Sequence, residues 1–479
     1  MDAGAAATRS VTTVEGSPRL TLAALSRGFL GGVALAGVGL LVVAALHFRS
    51  VEDSRALLWY GIAIGLALFG LIGRRLRPAW RVTLMLVSAT TILSLLAGEW
   101  VLETLERRQA ARVRAAVEKL TGFPRDPRSI PEVVRDLQRA GVAAVPSVVP
   151  KVMLDYTAPG TPPGVAFTAP FMPLTGVSRA ETVQLCNEDG RYHRYRSDRY
   201  GFNNPDTVWA ATGPRLVLIG DSFVHGYCVP SDSTLPSFLR QGWPATISLG
   251  AGGSGPLSEL GILTEYGQVA RPAVILWVYF ENDLPDLAFE RGLPNVARYL
   301  NPGFGQRLAE RQPAVDSNLR AWITALYARG LAPDPLAVTS GWRPLATLTS
   351  LRALVGRTRQ GRPADPRDQV PLFRQVLTRA AERADSLQAR MVFVFLPSWE
   401  RFFLPPAPSD LGRPEVLATV RSLGLPTIDL APAFARHPDR ARLFGRRGIS
   451  NAHYSSLGYG FVAALIQRAL DSLPGGRPE

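Results

Sequence analysis

Lysine is almost missing from this chain: Lys119 and Lys151 are the only two, although lysine and arginine together number 53 against 39 acidic residues, for a net charge of +14. Proteins that hold nucleic acid gather their cations on one face and interleave them with aromatics. Here the arginines are scattered, with no basic helix, so the charge does not point to a nucleic-acid partner. Histidine (5) and cysteine (2) are also scarce and carry no ligand-like spacing, so the sequence offers no metal arrangement, and no cofactor is expected. The elbow Gly-x-Ser-x-Gly is absent as well, because Val224 stands at its last glycine position.

Charge of either sign is missing from three stretches, Gly28 to Phe48, Ala56 to Gly73 and Val82 to Gly98. Each is long enough, or nearly so, to cross a bilayer, and two further stretches after the first argue against a cleaved signal peptide. Three transmembrane helices are therefore expected, preceded by a tail over residues 1–27. The tail and the loop from Arg74 to Arg81 are basic, whereas Arg49 to Arg55 is balanced by Glu52 and Asp53. Basic loops stay in the cytoplasm, which places everything after Glu99 outside it, in the periplasm or extracellular space beyond the plasma membrane. An oxidising compartment suits a disulfide between Cys186 and Cys228; two free buried thiols are the alternative.

What remains divides into a stalk and lead-in over residues 100–205 and a domain over residues 206–479. Arg107, Arg108, Arg112 and Arg114 mark a charged helix as the stalk, and Ser129-Ile-Pro-Glu132 reads as a helix start running to about Ala140. Residues 141–180 are rich in proline and glycine and suggest no regular structure. Tyr195 to Pro205 reads as a packing segment with a turn at Gly201, or, with Arg199 and Asn203, as a rim of a substrate groove.

Within residues 206–479, five apolar runs without alternation predict strands: Leu216–Ile219, Ala245–Leu249, Val274–Tyr279, Met391–Leu396 and Thr427–Leu430. Helical patterns between most of them predict an α/β fold with a parallel sheet. The first strand breaks at Gly220 and delivers Ser222 into a turn, where open α/β sheets place their sites. An interval of residues 284–369 exceeds one crossover helix and predicts a cap insertion. Its Trp322, Tyr327 and Trp342 would either stack on a sugar or form the cap's own small core.

Gly220-Asp-Ser222, Gly253, Glu281-Asn-Asp283 and Ser450-Asn-Ala-His453, in that order, resemble the motif blocks of the SGNH (GDSL-type) hydrolases, in particular membrane-anchored bacterial members. The resemblance covers roughly residues 200 to 475 and implies a flavodoxin-like five-stranded parallel sheet. It also implies Ser222 as nucleophile, His453 as base, and an oxyanion hole from the Ser222 and Gly253 amides and the Asn282 side chain. Phe280 stands where the family has glycine, and Ser450 where it has the aspartate that orients the histidine. Orientation of His453 is then expected from Asn451, Ser450 or a main-chain oxygen, with a slower enzyme or a dyad as the consequence. The expected activity is that of an extracytoplasmic serine esterase or O-acyltransferase on acyl, most plausibly acetyl, esters of an envelope or exported polysaccharide. A transferase would need a membrane acyl-donor or polysaccharide-export protein as partner. A lipid esterase and a catalytically weak glycan-binding or scaffold module of an export complex are the alternatives.

Overall fold

The computed structural model describes residues 21–47, 54–121, 126–148, 170–328, 365–403, 412–445 and 453–472, together with 348, 350–352 and 354. The chain divides into two compact units, one of residues 1–107 with 339–360 and one of residues 108–338 with 361–479.

The first unit holds helices α1 (Leu22–His47) and α2 (Ser54–Arg75) and most of α3 (Pro78–Thr121). Two described helical segments are long and apolar enough to cross a membrane, Leu22–Leu46 with a mean hydropathy of 2.5 and Pro78–Gln109 with 1.7. The count is two rather than three: Ala56 to Gly73 does fold as α2, but the side chains of its first residues lie outside the described set. Helices α1 and α2 meet through small residues. A Cβ on Gly37 would lie 2.4 Å from the Ala67 nitrogen, and one on Gly70 would lie 2.5 Å from both the Ala34 nitrogen and the Leu30 oxygen. Close approach of this kind is how helices gain van der Waals contact where no water drives them together. The expected stalk is no separate element, since α3 runs unbroken for 44 residues from the apolar stretch through Arg114. On α3 the buried Glu99 accepts from the Ser350 and Leu351 amides, both at 2.8 Å, which satisfies its carboxylate.

The second unit begins with α4 (Ile130–Arg139), started by a capping box between Ser129 and Glu132 with proline in the first turn, as the sequence predicts. A three-stranded sheet follows, β1 (Ala144–Pro146), β2 (Glu181–Val183) and β3 (Arg194–Arg196), with β1 and β2 parallel and β2 and β3 antiparallel. This sheet was not expected, because three-residue strands are too short to show a period and β1 ends in proline.

The main sheet is parallel, with strands β4 (Leu216–Gly220), β5 (Thr246–Gly250), β6 (Val274–Phe280), β7 (Arg390–Leu396) and β8 (Thr427–Asp429) in the order β5-β4-β6-β7-β8. Each matches its predicted strand to within a residue or so, because both faces of the sheet are covered and the apolar runs are continuous. The order is the doubly wound, flavodoxin-like one. It puts the switch point between β4 and β6, beside which the loops after β4, β5 and β6 converge.

The interval after β6 is no single cap. Leu284, Leu287, Val296, Tyr299, Leu308, Val315, Leu319, Trp322 and Leu326 join the main core beside Trp277 and Tyr279. Trp322 is therefore a core residue and Tyr327 packs against the same cluster, while Trp342 lies outside the described residues. The lead-in is a packing segment: buried Asp198 accepts from the Tyr200 and Phe202 amides, Asn204 Nδ2 and Trp209 Nε1, and Arg199 pairs with Asp206. Its Asn203 donates to the His225 carbonyl at 2.9 Å, at the end of the helical turn that begins with Ser222.

Candidate active site

At Gly220 the chain leaves β4 and turns at once into a single helical turn, Ser222–His225, capped by Asp221 Oδ1, which accepts from the Phe223 amide at 2.9 Å. Glycines at the ends of β4 and β5 let this turn lie on the sheet: a Cβ on Gly220 would sit 2.5 Å from Val224 Cγ2, and one on Gly250 would sit 2.4 Å from the His225 nitrogen. Any larger residue at either position would push Ser222 away from the strand ends.

His453 enters from the other end of the chain. It precedes the helix Ser456–Ser472 and is fixed by its neighbour Tyr454, fully buried and donating to the Pro397 carbonyl at 2.7 Å. The structure sets His453 Nε2 2.9 Å from Ser222 Oγ. On the far side of the ring, His453 Nδ1 lies 2.9 Å from Glu188 Oε1, and the His453 amide donates to Glu188 Oε2 at 3.2 Å. A carboxylate accepts only, so Nδ1 carries the proton and Nε2 presents its lone pair to the Ser222 hydroxyl. Serine, histidine and carboxylate thus stand in hydrogen-bonded series.

Glu188 corrects the sequence reading, which looked for the orienting group beside His453 and found only Ser450 and Asn451. Those two residues lie outside the described set. The carboxylate comes instead from a turn between β2 and β3, 265 residues earlier. That turn is tied down by the Cys186–Cys228 disulfide, with a Cα–Cα distance of 5.3 Å, as expected of the pair. Gln184 adds two bonds across the same gap, donating to the Gly226 carbonyl at 3.1 Å and accepting from the Cys228 amide at 3.0 Å. The disulfide closes a loop with a sequence separation of 42. Removing it by Cys186→Ser with Cys228→Ser should lower stability by roughly 2 to 4 kcal/mol. Thermal melts with and without a phosphine reductant check this, and a melting temperature indifferent to reductant would count against it.

The remaining expected site residues lie on the same edge. Gly253 follows β5 with φ +70, and Asn282 follows β6 at the N-cap position of the helix Asp283–Glu290. As the first residue of its helix, Ser222 has an amide with no intrahelical acceptor. Asn282 Nδ2 donates to Asp286 Oδ2 at 3.1 Å, while Asn282 Oδ1 is buried without a partner among the described residues. Glu281 pairs with Arg401 and accepts from the Ser398 amide at 2.7 Å.

Beneath these loops lie Asp221, Glu259, Asp283, Asp286 and Glu290, all buried. Burial pushes the Asp221 carboxyl up to about 6 and nearby Asp286 adds to this, against the Phe223 amide, His453 and Asn282. Burial likewise raises Glu290 to about 7, although Ser258 and the Gly255 and Leu257 amides donate to it. Glu259 and Asp283 are driven well above the ordinary carboxylate range, first by burial, with Asp221, Glu290 and Asp286 adding to it at Glu259 and Glu259, Asp221 and Asp286 adding to it at Asp283. His225 goes the other way, to about 4, because burial disfavours its charged form. Burial therefore disfavours the charged form of Asp221, Glu259, Asp283 and Glu290 at the floor of the site.

No model of a known protein family matches the chain, and no curated protein does. Solved structures to which it is similar include the lipase/acylhydrolase from Enterococcus faecalis (15% identity, 54% of this chain and 95% of that one, TM-score 0.30). Others are an acetyl xylan esterase (8%, 53% and 99%, TM-score 0.31) and a GDSL-like lipase from Bacteroides thetaiotaomicron (13%, 55% and 93%, TM-score 0.30). Scores at this level carry no argument, and the reading of the site rests on the geometry of Ser222, His453 and Glu188.

Proposed function

We propose that the protein is a membrane-anchored serine esterase or O-acyltransferase acting on acyl, foremost acetyl, esters of an envelope or exported polysaccharide, with its catalytic unit outside the cytoplasm. The observation that carries the chemistry is the series Ser222 Oγ, His453 Nε2, His453 Nδ1, Glu188 Oε1, with both links at 2.9 Å. His453 takes the Ser222 proton as Oγ attacks the ester carbonyl, and Glu188 stabilises the imidazolium that forms. The oxyanion is received by the Ser222 and Gly253 amides and Asn282, each such donor being worth about 3 kcal/mol in the transition state. His453 then returns the proton to the leaving alcohol, and water or a sugar hydroxyl resolves the acyl-enzyme by the same steps in reverse.

Membrane attachment is supported by the two apolar helices, and the outside location by the arginine pattern and the disulfide. The polysaccharide substrate rests on the resemblance of the motif blocks to anchored SGNH hydrolases. The reading as a catalytically weak binding module drew its motive from a missing carboxylate, and Glu188 removes that motive. A fluorophosphonate probe on the full chain in detergent tests the proposal: it should modify Ser222, identified by peptide mass, and an unmodified Ser222 would refute the enzyme reading. Gene deletion then separates the two reactions, a fall in polysaccharide acetylation meaning transfer and a rise meaning hydrolysis.

A further inference from the structure

Spacing in the sequence offers no metal set, yet folding brings donor atoms of Cys186, Glu188, Cys228 and His453 within 4.8 Å of one another. Cys228 Sγ lies 3.1 Å from His453 Nδ1, and Glu188 Oε1 lies 2.9 Å from the same nitrogen. Two sulfurs, an imidazole nitrogen and a carboxylate oxygen form a donor set that zinc binds tetrahedrally, with bonds of about 2.0 to 2.3 Å and donors about 3.3 to 3.8 Å apart. The two distances to His453 Nδ1 need to open by only a few tenths of an ångström, whereas the two sulfurs, bonded in the oxidised chain, must part by about 1.7 Å once reduced. The bond between the sulfurs is what keeps an ion out.

We propose that the reduced form of this protein binds one zinc ion through Cys186, Cys228, Glu188 and His453 Nδ1, and that the ion silences Ser222. This rests on the catalytic reading of Ser222 and His453 given above. A dithiol reductant supplies two electrons and two protons to the Cys186–Cys228 disulfide and becomes a disulfide itself. Zinc then displaces the two thiol protons to solvent, and His453 changes tautomer as it binds, giving up its Nδ1 proton to solvent while Nε2 takes one up. With Nδ1 on the metal, the neutral ring carries its proton on Nε2, which therefore donates toward Ser222 Oγ where it had accepted. Ser222 loses its base without any residue leaving the site. A disulfide oxidant takes two electrons from the two thiolates and, with two protons from solvent, leaves as two thiols; the Cys186–Cys228 bond re-forms, two of the four ligands are lost, the ion is expelled and Nδ1 returns to Glu188. A chain that has not yet formed its disulfide would thus be held inactive wherever zinc is present.

The test uses the full chain in detergent, reduced with a phosphine, desalted and titrated with Co²⁺ as a spectroscopic stand-in for Zn²⁺. One equivalent should bind, with the absorption of a tetrahedral thiolate site, be displaced by Zn²⁺, and fail to bind the oxidised chain. The band should be lost in Cys228→Ser and weakened or shifted in His453→Ala and Glu188→Ala. Fluorophosphonate labelling of the reduced chain should disappear with Zn²⁺ and return with a chelator. No cobalt band in reduced protein, a band indifferent to His453→Ala, or loss of native circular dichroism on reduction would each overturn the metal site. A normal cobalt band with Ser222 unreactive in every state would leave the metal site standing and refute the catalytic reading instead.

Discussion

Glu188→Gln should slow hydrolysis of a small acetyl ester by roughly four orders of magnitude in kcat, with little change in KM. Glutamine keeps the shape of the side chain, but its amide can turn its NH₂ toward Nδ1 and hold the ring in the tautomer whose proton faces Ser222. It also removes the charge that stabilises the imidazolium. The residue is held at two points, Nδ1 and the His453 amide, so the ring is not free to find another carboxylate of equal geometry. Ser450→Asp, which would place a carboxylate three residues before His453, should leave the rate unchanged, because Nδ1 is already taken. A steady-state comparison of the three proteins decides it: Glu188→Gln within tenfold of the parent would remove Glu188 from the triad.

The strands that build the site were legible because a sheet covered on both faces needs unbroken apolar runs, and Leu216–Gly220, Val274–Phe280 and the part of β7 from Met391 to Leu396 are such runs. Ser222, Gly253, Asn282 and His453 were legible through the resemblance of their motif blocks to the SGNH hydrolases, and the structure places all four in the same unit, after β4, β5 and β6 and before the last helix. Glu188 was not, since it stands on a short turn between three-residue strands, where neither period nor spacing marks a functional position. Its signal was the cysteine pair. Cys186 is two residues before Glu188 and Cys228 six after Ser222, so a disulfide between them already required the glutamate's turn to lie at the nucleophile. Helices of the interval after β6 were misjudged for a different reason: an amphipathic helix reads the same whether its apolar face covers a separate cap or the main core, and here it covers the main core.

The domain should lose stability as pH rises past about 6.5, the reverse of the acid sensitivity common in proteins with paired carboxylates. Glu290 titrates near 7 in the folded chain and near 4.5 when exposed, so between these values the folded state holds a proton that the unfolded state releases, and stability falls as pH climbs. A shift of that size corresponds to about 3 kcal/mol, lost once the pH passes 7. Asp221, raised from 3.8 to about 6, acts in the same direction at lower pH. His225 opposes it there: lowered from 6.5 to about 4, it makes the folded state the poorer binder of protons and stability rise with pH across that window. Above 6.5 His225 has no further effect, and the remaining groups, Glu290 together with the more strongly raised Glu259 and Asp283, all act one way. Glu259 is the group to test, because it is fully buried and neither oxygen meets a hydrogen-bond donor among the described residues. Glu259→Gln removes its ionisation at nearly constant volume, so the melting temperature of the variant should fall less steeply between pH 6.5 and 8.5 than that of the parent. A parent curve that is flat or rising over that range, or a variant that runs parallel to it, would show that the floor of the site carries its carboxylates charged.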